Sequence, residues 1–214
     1  MSVELAIGLA VFLPLIGAIG VSLTGFAPNL REAVTLTTSV LTFILVASIF
    51  RSVSAGLEPE LVLFTVMPGV DLAFKVEPLG MLYALVASGL WMPTSLYAIG
   101  YMRGHNEQNQ TRFFVCFALA IFAALGIAFS KNVFTLFLFY EVLTFSTYPL
   151  VTHYGDEEAK RAGRVYMGIL LTTSVAFLLF AVVLTYSFAG TLDFQKGGIL
   201  SGKVDGLTVP LLLG

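Results

Sequence analysis

The sequence predicts an all-α fold, a polytopic bundle of about six transmembrane helices with a short β-hairpin on its surface. Of the 214 residues, 57% are hydrophobic and only 11% are charged, whereas soluble domains carry about 25% charged residues. The mean hydropathy is +0.93. A chain this apolar cannot cover a surface that faces water, so its solvent is the lipid bilayer. The charges form no basic stripe, which argues against a nucleic-acid partner.

Six hydrophobic runs, separated by charges and turn residues, are each long enough to cross about 30 Å of hydrocarbon. They are Leu5–Thr24, Ala33–Phe50, Pro78–Tyr101, Phe113–Ser130, Val133–Thr152 and Val165–Ala189. No basic segment precedes the first run, so we predict a retained helix rather than a cleaved signal peptide. Leu207–Leu213 has the composition of a seventh helix that is beginning. Residues 1–214 are therefore predicted to form a single transmembrane domain.

The basic residues of the short loops predict the orientation. With the N-terminus outside, the cytoplasmic side holds Arg31, Arg103, Arg112, Lys160, Arg161 and Arg164, and the other side holds Arg51, Lys75, Lys131, Lys196 and Lys203. The cluster Lys160–Arg164 stands directly before the sixth run, which favours this orientation. The predicted location is the plasma membrane.

The connection between the second and third runs has the pattern of a β-hairpin. Leu61–Val66 is apolar and β-branched, Pro68-Gly69 supplies turn residues, and apolar and polar residues alternate from Val70 to Glu77. We predict that residues 60–77 lie on the membrane surface, because lipid does not tolerate unpaired backbone edges. Its expected role is packing or contact between subunits.

Glu141 is the residue most strongly indicated as functional. It is the only Asp, Glu, Lys, Arg or His within the six predicted spans, and it lies near the centre of the fifth. A charge at that depth costs at least about 2.5–3.5 kcal/mol, so the side chain must face the bundle interior and needs a cation, donors or water. Burial raises a carboxyl pKa and a nearby cation lowers it, so Glu141 is a candidate proton relay.

Other polar residues are candidates for a supporting role. Thr144 and Tyr148 follow Glu141 at i+3 and i+7 and share its helix face. Ser174 is one of several residues in the sixth run that carry a hydroxyl group. These residues line a water path or hydrogen-bond a neighbouring helix. His153 stands at the cytoplasmic mouth, as a solvated or a proton-loading group. Arg164 snorkels to the interface or tunes the field at Glu141. No cofactor or metal-binding motif is found.

The segment Phe139–Val151 resembles the fifth-helix signature of Mrp-type sodium/proton antiporter subunits. These subunits are related to the antiporter-like subunits of respiratory complex I and of membrane-bound hydrogenases. Three further segments are similar to the family, namely Glu158–Tyr166, Tyr97–Tyr101 and Gly190–Phe194. The resemblance covers nearly the whole chain and is strongest to the D subunit.

The resemblance implies a bundle of about fourteen helices built from two inverted repeats. In the first repeat the glutamate of the fifth helix, matched here by Glu141, pairs with a lysine on a broken seventh helix. No residue of this sequence matches that lysine. The chain is therefore expected to be the N-terminal part of a longer subunit or to be completed by another polypeptide.

The sequence thus predicts a subunit of a multisubunit Na⁺/proton antiporter, with other membrane subunits as its partners and protons and Na⁺ as its ions. Two alternatives remain open. One is a proton-pumping membrane-arm subunit of a complex I-like dehydrogenase or hydrogenase, in which the redox centres belong to partner subunits. The other is a scaffold subunit that transports nothing, in which Glu141 only hydrogen-bonds a neighbouring helix.

Overall fold

The computed structural model describes residues 2–203, and within them six helices are long and apolar enough to cross a membrane. They are α1 Val3–Leu23, α2 Pro28–Ser54, α3 Pro78–Gly104, α4 Gln110–Ala128, α5 Val133–Val151 and α6 Glu157–Ala189. The predicted helical membrane fold is therefore confirmed, and the chain is a multi-pass membrane protein. The seventh helix predicted to begin at Leu207–Leu213 lies outside the described residues.

Several helices begin earlier than their hydrophobic runs because their first turns are polar and stabilised locally. Pro28 occupies the first turn of α2, where its fixed φ suits a helix and its missing N–H costs nothing. The carboxylate of Asp156 accepts a hydrogen bond from the Ala159 amide at 2.7 Å and caps α6. The acidic side chains of Glu157 and Glu158 in that turn complement the helix dipole. Helix α6 therefore starts about two turns before the predicted Val165.

Helix α6 is not regular along its length. Its residues Ser174–Leu179 form a π-helical segment, in which backbone hydrogen bonds run from residue i to i+5. Only 11% of its most apolar stretch is buried, against 50% for α4. Helix α6 therefore forms an outer face of the described bundle, and α4 lies at its centre.

Small residues let the helices approach closely. A Cβ added to Gly17 of α1 would stand 2.4 Å from the Thr38 side chain of α2. One added to Gly126 of α4 would stand 2.0 Å from the Phe139 ring of α5. In lipid no hydrophobic force drives helices together, so they associate through van der Waals packing. Glycines strengthen that packing because they let the backbones approach closely.

The predicted hairpin is present, with β1 at Glu60–Met67 paired antiparallel to β2 at Val70–Lys75. Its second edge is paired as well, since the Lys75 amide donates to the Phe129 carbonyl at 2.7 Å and the Lys131 amide to the Ala73 carbonyl at 3.0 Å. Ala73 lies on the side predicted to be polar and is fully buried, because its amide faces the Thr135 hydroxyl of α5. The hairpin is thus packed against the helix ends.

Ion pairs join the hairpin to the segment before β1 and to the α4–α5 connection, which is itself paired with the segment after α6. Lys75 contacts Glu58 at 2.6 Å, and Lys131 contacts Glu60 at 2.9 Å and Asp193 at 3.8 Å. The hydrogen bond and the positive charge of Lys75 hold the pKa of Glu58 below its ordinary value of 4.5. The hydrogen bond from Lys131 to Glu60 likewise holds the pKa of Lys131 above 10.5.

We expect acid to loosen the hairpin. A carboxyl group whose pKa is lowered by folding stabilises the fold fully above its ordinary pKa, and this stabilisation is lost as the pH falls through the pKa of the folded state. The raised pKa of Lys131 matters only in strong alkali. Amide hydrogen exchange of β1, corrected for its intrinsic pH dependence, should therefore accelerate below about pH 4.5. Glu58→Gln should weaken this acceleration. Exchange of β1 that is as slow at pH 3 as at pH 7 would show that these pairs do not hold the hairpin.

Candidate functional site

Glu141 lies in the middle of α5 and is half-buried. Its Oε1 atom is buried, and no residue of the described part of the chain donates a hydrogen bond to it. An unsatisfied polar group in the hydrocarbon region costs several kcal/mol, since no water is present to replace the missing donor. The carboxyl group is therefore suited to receive a proton, a cation or a donor that comes from elsewhere.

The hydroxyl groups beside Glu141 point to the backbone. Thr144 is buried on the predicted face, but its Oγ1 donates to the Tyr140 carbonyl at 3.0 Å. Ser146 donates to the Leu143 carbonyl at 2.8 Å in the same way. A helical Ser or Thr often bonds a carbonyl of the preceding turn. Both oxygens can still accept a hydrogen bond.

A hydroxyl pair joins α5 to α6 on the next turn. Thr147 Oγ1 and Tyr166 Oη are 3.1 Å apart. Thr147 already donates to the Thr144 carbonyl at 2.9 Å, so the Tyr166 hydroxyl is the donor between the helices. The tyrosine was not predicted as a site residue, because the contact depends on how two helices separated by a turn pack together.

Tyr148 lies at a close contact between α5 and α6. A Cβ on Gly163 would stand 2.2 Å from the Thr152 side chain and 3.1 Å from the Tyr148 ring. The antiparallel register fixed by this contact and by the Thr147–Tyr166 pair places Thr172–Ser174 at the depth of Glu141. Ser174 is buried and begins the π-helical segment, and its hydroxyl donates to the Leu171 carbonyl at 3.2 Å.

The two basic candidates, Arg164 and His153, lie far from the carboxyl group. Arg164 is exposed beside Gly163, and Gly163 contacts Tyr148, seven residues along α5 from Glu141. Seven residues correspond to about 10 Å of helix. The Arg112 guanidinium donates to the His153 carbonyl at 2.9 Å just beyond the end of α5. Neither side chain therefore touches Glu141.

His153 is packed rather than solvated. Its ring lies edge-on to Phe113 at 5.8 Å, and both ring nitrogens are buried without a hydrogen-bond partner within residues 2–203. Burial, and then the positive charge of Arg112, hold the pKa of His153 below its ordinary value of 6.5. At neutral pH the imidazole is therefore uncharged.

A second group of buried charges was missed by sequence reasoning. Arg31 and Glu32, predicted to stand outside the second span, lie in the first turns of α2 and are only 4% and 7% exposed. Glu32 accepts from Arg103 of α3 at 2.9 and 2.7 Å and from Arg31 at 3.3 Å. The helix start that Pro28 allows was the signal that could have placed them inside the bundle.

Comparison with known proteins agrees with the resemblance seen in the sequence. Residues 130–204 match the family described as NADH:quinone oxidoreductase/Mrp antiporter, TM. The chain is 28% identical over 127 residues to the antiporter subunit mnhA2 of Staphylococcus haemolyticus. It is 33% identical over 96 residues to the Na⁺/H⁺ antiporter subunit A1 of Staphylococcus aureus. The predicted resemblance to antiporter-type subunits is confirmed, and the particular resemblance to a D subunit stays a prediction.

Two solved structures share the fold. One is a chain of the membrane-bound sulfane sulfur reductase, an archaeal respiratory membrane complex, with a TM-score of 0.77, 22% identity and 89% of this chain covered. The other is a chain of respiratory complex I from Thermus thermophilus, with a TM-score of 0.67, 19% identity and 95% of this chain covered. The matches span 38% and 42% of those chains, and 16% and 12% of the two curated relatives.

Proposed function

We propose that this chain is part of a cation/proton antiporter subunit and that Glu141 binds the transported proton. The observation that carries the proposal is the buried Oε1 atom of Glu141, which has no hydrogen-bond partner within residues 2–203 although it lies mid-membrane. The residue falls within the segment that matches the antiporter family. A carboxyl group with an unused acceptor at that depth can gain and lose a proton as its surroundings change.

The proton-binding role requires a balance between two effects. Burial in the hydrocarbon favours the neutral acid, and an approaching cation or water favours the carboxylate. The family resemblance implies that a lysine of another helix supplies this cation. A lysine that alternately approaches and leaves Glu141 would load and release the proton, which is the step that couples the carboxyl group to ion movement.

Sodium is the proposed coupling ion, because a matched relative is named as a Na⁺/H⁺ antiporter subunit. The proposed partners are other membrane subunits, since relatives of this chain carry subunit names. The proposed location is the plasma membrane with the N-terminus outside. Thr144, Tyr148 and Ser174 are proposed to contact water near Glu141, and His153 to exchange protons at the end of α5. Arg164 is proposed to act only through its long-range field.

A proton pump without sodium exchange is the second candidate function. It is favoured by the fold, because the two similar structures are chains of respiratory complexes. Proton uptake into vesicles distinguishes the two functions. An antiporter should acidify or alkalinise the lumen in response to a Na⁺ gradient alone, whereas a pump arm should respond only when redox substrates turn over. Transport by Glu141→Gln in an intact assembly tests the role that both functions share.

A further inference from the structure

We propose that the Arg103 cavity, at the membrane face where the α1–α2 and α3–α4 connections meet, binds the phosphate group of a phospholipid. The cavity has a volume of about 520 Å³ and is lined by Ala27, Pro28, Asn29, Arg103, Asn106 and Gln110. The cavity lies at helix ends, whereas Glu141 lies in the middle of α5, so it is distinct from the site around Glu141.

The charges beside the cavity do not balance. Among the described residues, Glu32 is the one carboxylate paired with the guanidinium groups of Arg31 and Arg103, so this three-residue cluster carries one positive charge in excess. Arg31 is 4% exposed and its Nε atom has no hydrogen-bond partner within residues 2–203. Arg31 has only a share in the Glu32 carboxylate as its counterion, and a buried charge that is incompletely paired is costly. An anion in the adjacent cavity would supply the missing negative charge.

The lining supplies donors for such an anion. The Arg103 side chain is 45% exposed, so one edge of its guanidinium is open after Nε and Nη2 have bonded Glu32. The side-chain Oδ1 of Asn29 accepts from Arg103, so the NH₂ group of that amide is left as a donor. Among the described residues, no carboxylate lines the cavity. Guanidinium and amide N–H groups are the donors that bind phosphate well.

The opposite membrane face has a cavity of different character. That cavity, of about 630 Å³, is lined by Glu58 and Glu77 as well as by Lys75 and Lys196. Its lysines are already paired with Glu58 at 2.6 and 3.9 Å. The Arg103 cavity alone of these two therefore combines open donors with uncompensated positive charge.

The surroundings of the Arg103 cavity suit a lipid. Phe26 and Leu30, which flank the cavity-lining turn at the start of α2, are 84% and 49% exposed. Apolar side chains at a helix end lie against acyl chains. A phosphate held by Arg103 and Asn29 would therefore leave the acyl chains of its lipid along the outer faces of α1 and α2.

Asn106→Asp is the variant that tests the proposal. Asn106 lines the cavity, is exposed and has a φ of +52°, a conformation that Asp also tolerates. The change adds a carboxylate to the cavity and leaves the Arg31–Glu32–Arg103 bonds intact. Gln108→Glu is the matched control, because it adds the same charge to the same exposed loop outside the lining.

The measurement is binding of short-chain phosphatidylglycerol to the delipidated protein in the assembly in which it is isolated. We expect the original chain and Gln108→Glu to bind alike and Asn106→Asp to bind roughly tenfold more weakly, because like charges oppose each other across the cavity. Equal binding by Asn106→Asp would overturn the proposal, and so would equal binding of diacylglycerol, which has no phosphate. Inorganic phosphate that binds as tightly as the lipid would overturn the lipid as the source of the phosphate.

Discussion

Replacing Glu141 by Gln should abolish coupled ion transport while the subunit still folds and assembles. Gln has nearly the same shape but cannot take up or release a proton, and positioned proton transfer groups commonly contribute about 10²–10⁴-fold to a rate. We therefore expect at least about a hundredfold loss of proton flux in vesicles. Because Oε1 has no hydrogen-bond partner in residues 2–203, the neutral amide should cost little stability.

Two further variants sharpen this test. Glu157→Gln makes the same chemical change on a side chain that is 86% exposed at the start of α6, and it should transport normally. Glu141→Asp keeps the carboxyl group but withdraws it by one methylene, so it should keep part of the activity. Normal transport by Glu141→Gln would exclude the relay role. Loss of the assembled complex, rather than of transport, would instead support the scaffold function.

The six helices could be predicted because the thickness of the bilayer fixes the length of an apolar run. Their polar ends could not, since capping residues such as Asp156 extend a helix into water without adding hydrophobicity. The partners of the hairpin were also missed. The Lys75 amide donates to the Phe129 carbonyl at 2.7 Å, and such pairing between distant segments leaves no periodic signal in the sequence.

For the candidate site, the sequence indicated the carboxyl group but not the bonds around it. Glu141 stands out because a charged residue in an apolar run is costly and therefore rare. Whether Thr144 donates to that carboxylate or to the Tyr140 carbonyl depends on a competition within one helix turn, which residue spacing does not decide. Glu32 was overlooked because Arg31 beside it suggested a solvated loop, whereas Arg103, 71 residues later, completes a buried cluster.

Replacing Glu32 by Gln should strongly destabilise the fold. The Glu32 carboxylate is 9% exposed and binds two guanidinium groups, and the change leaves both without a counterion. Removing one partner of a buried ion pair typically costs about 3–5 kcal/mol. We expect a markedly lower thermal unfolding temperature and a reduced yield of folded protein in membranes. Glu58→Gln is the control, because Glu58 also pairs with a cation but its side chain is 36% exposed, and it should unfold almost as the original chain does.

A double variant separates the loss of charge balance from the loss of packing. If Glu32 acts mainly by neutralising Arg103, adding Arg103→Gln to Glu32→Gln should recover part of the lost stability, since one uncompensated charge disappears. If Glu32 acts only by filling space between α2 and α3, the two changes should destabilise additively, which would contradict the electrostatic role. Arg31 connects the buried cluster to a third helix. Arg31 keeps its bond to Gln110 at 2.8 Å in either variant, so α2 should stay joined to α4 when its pair with α3 is broken.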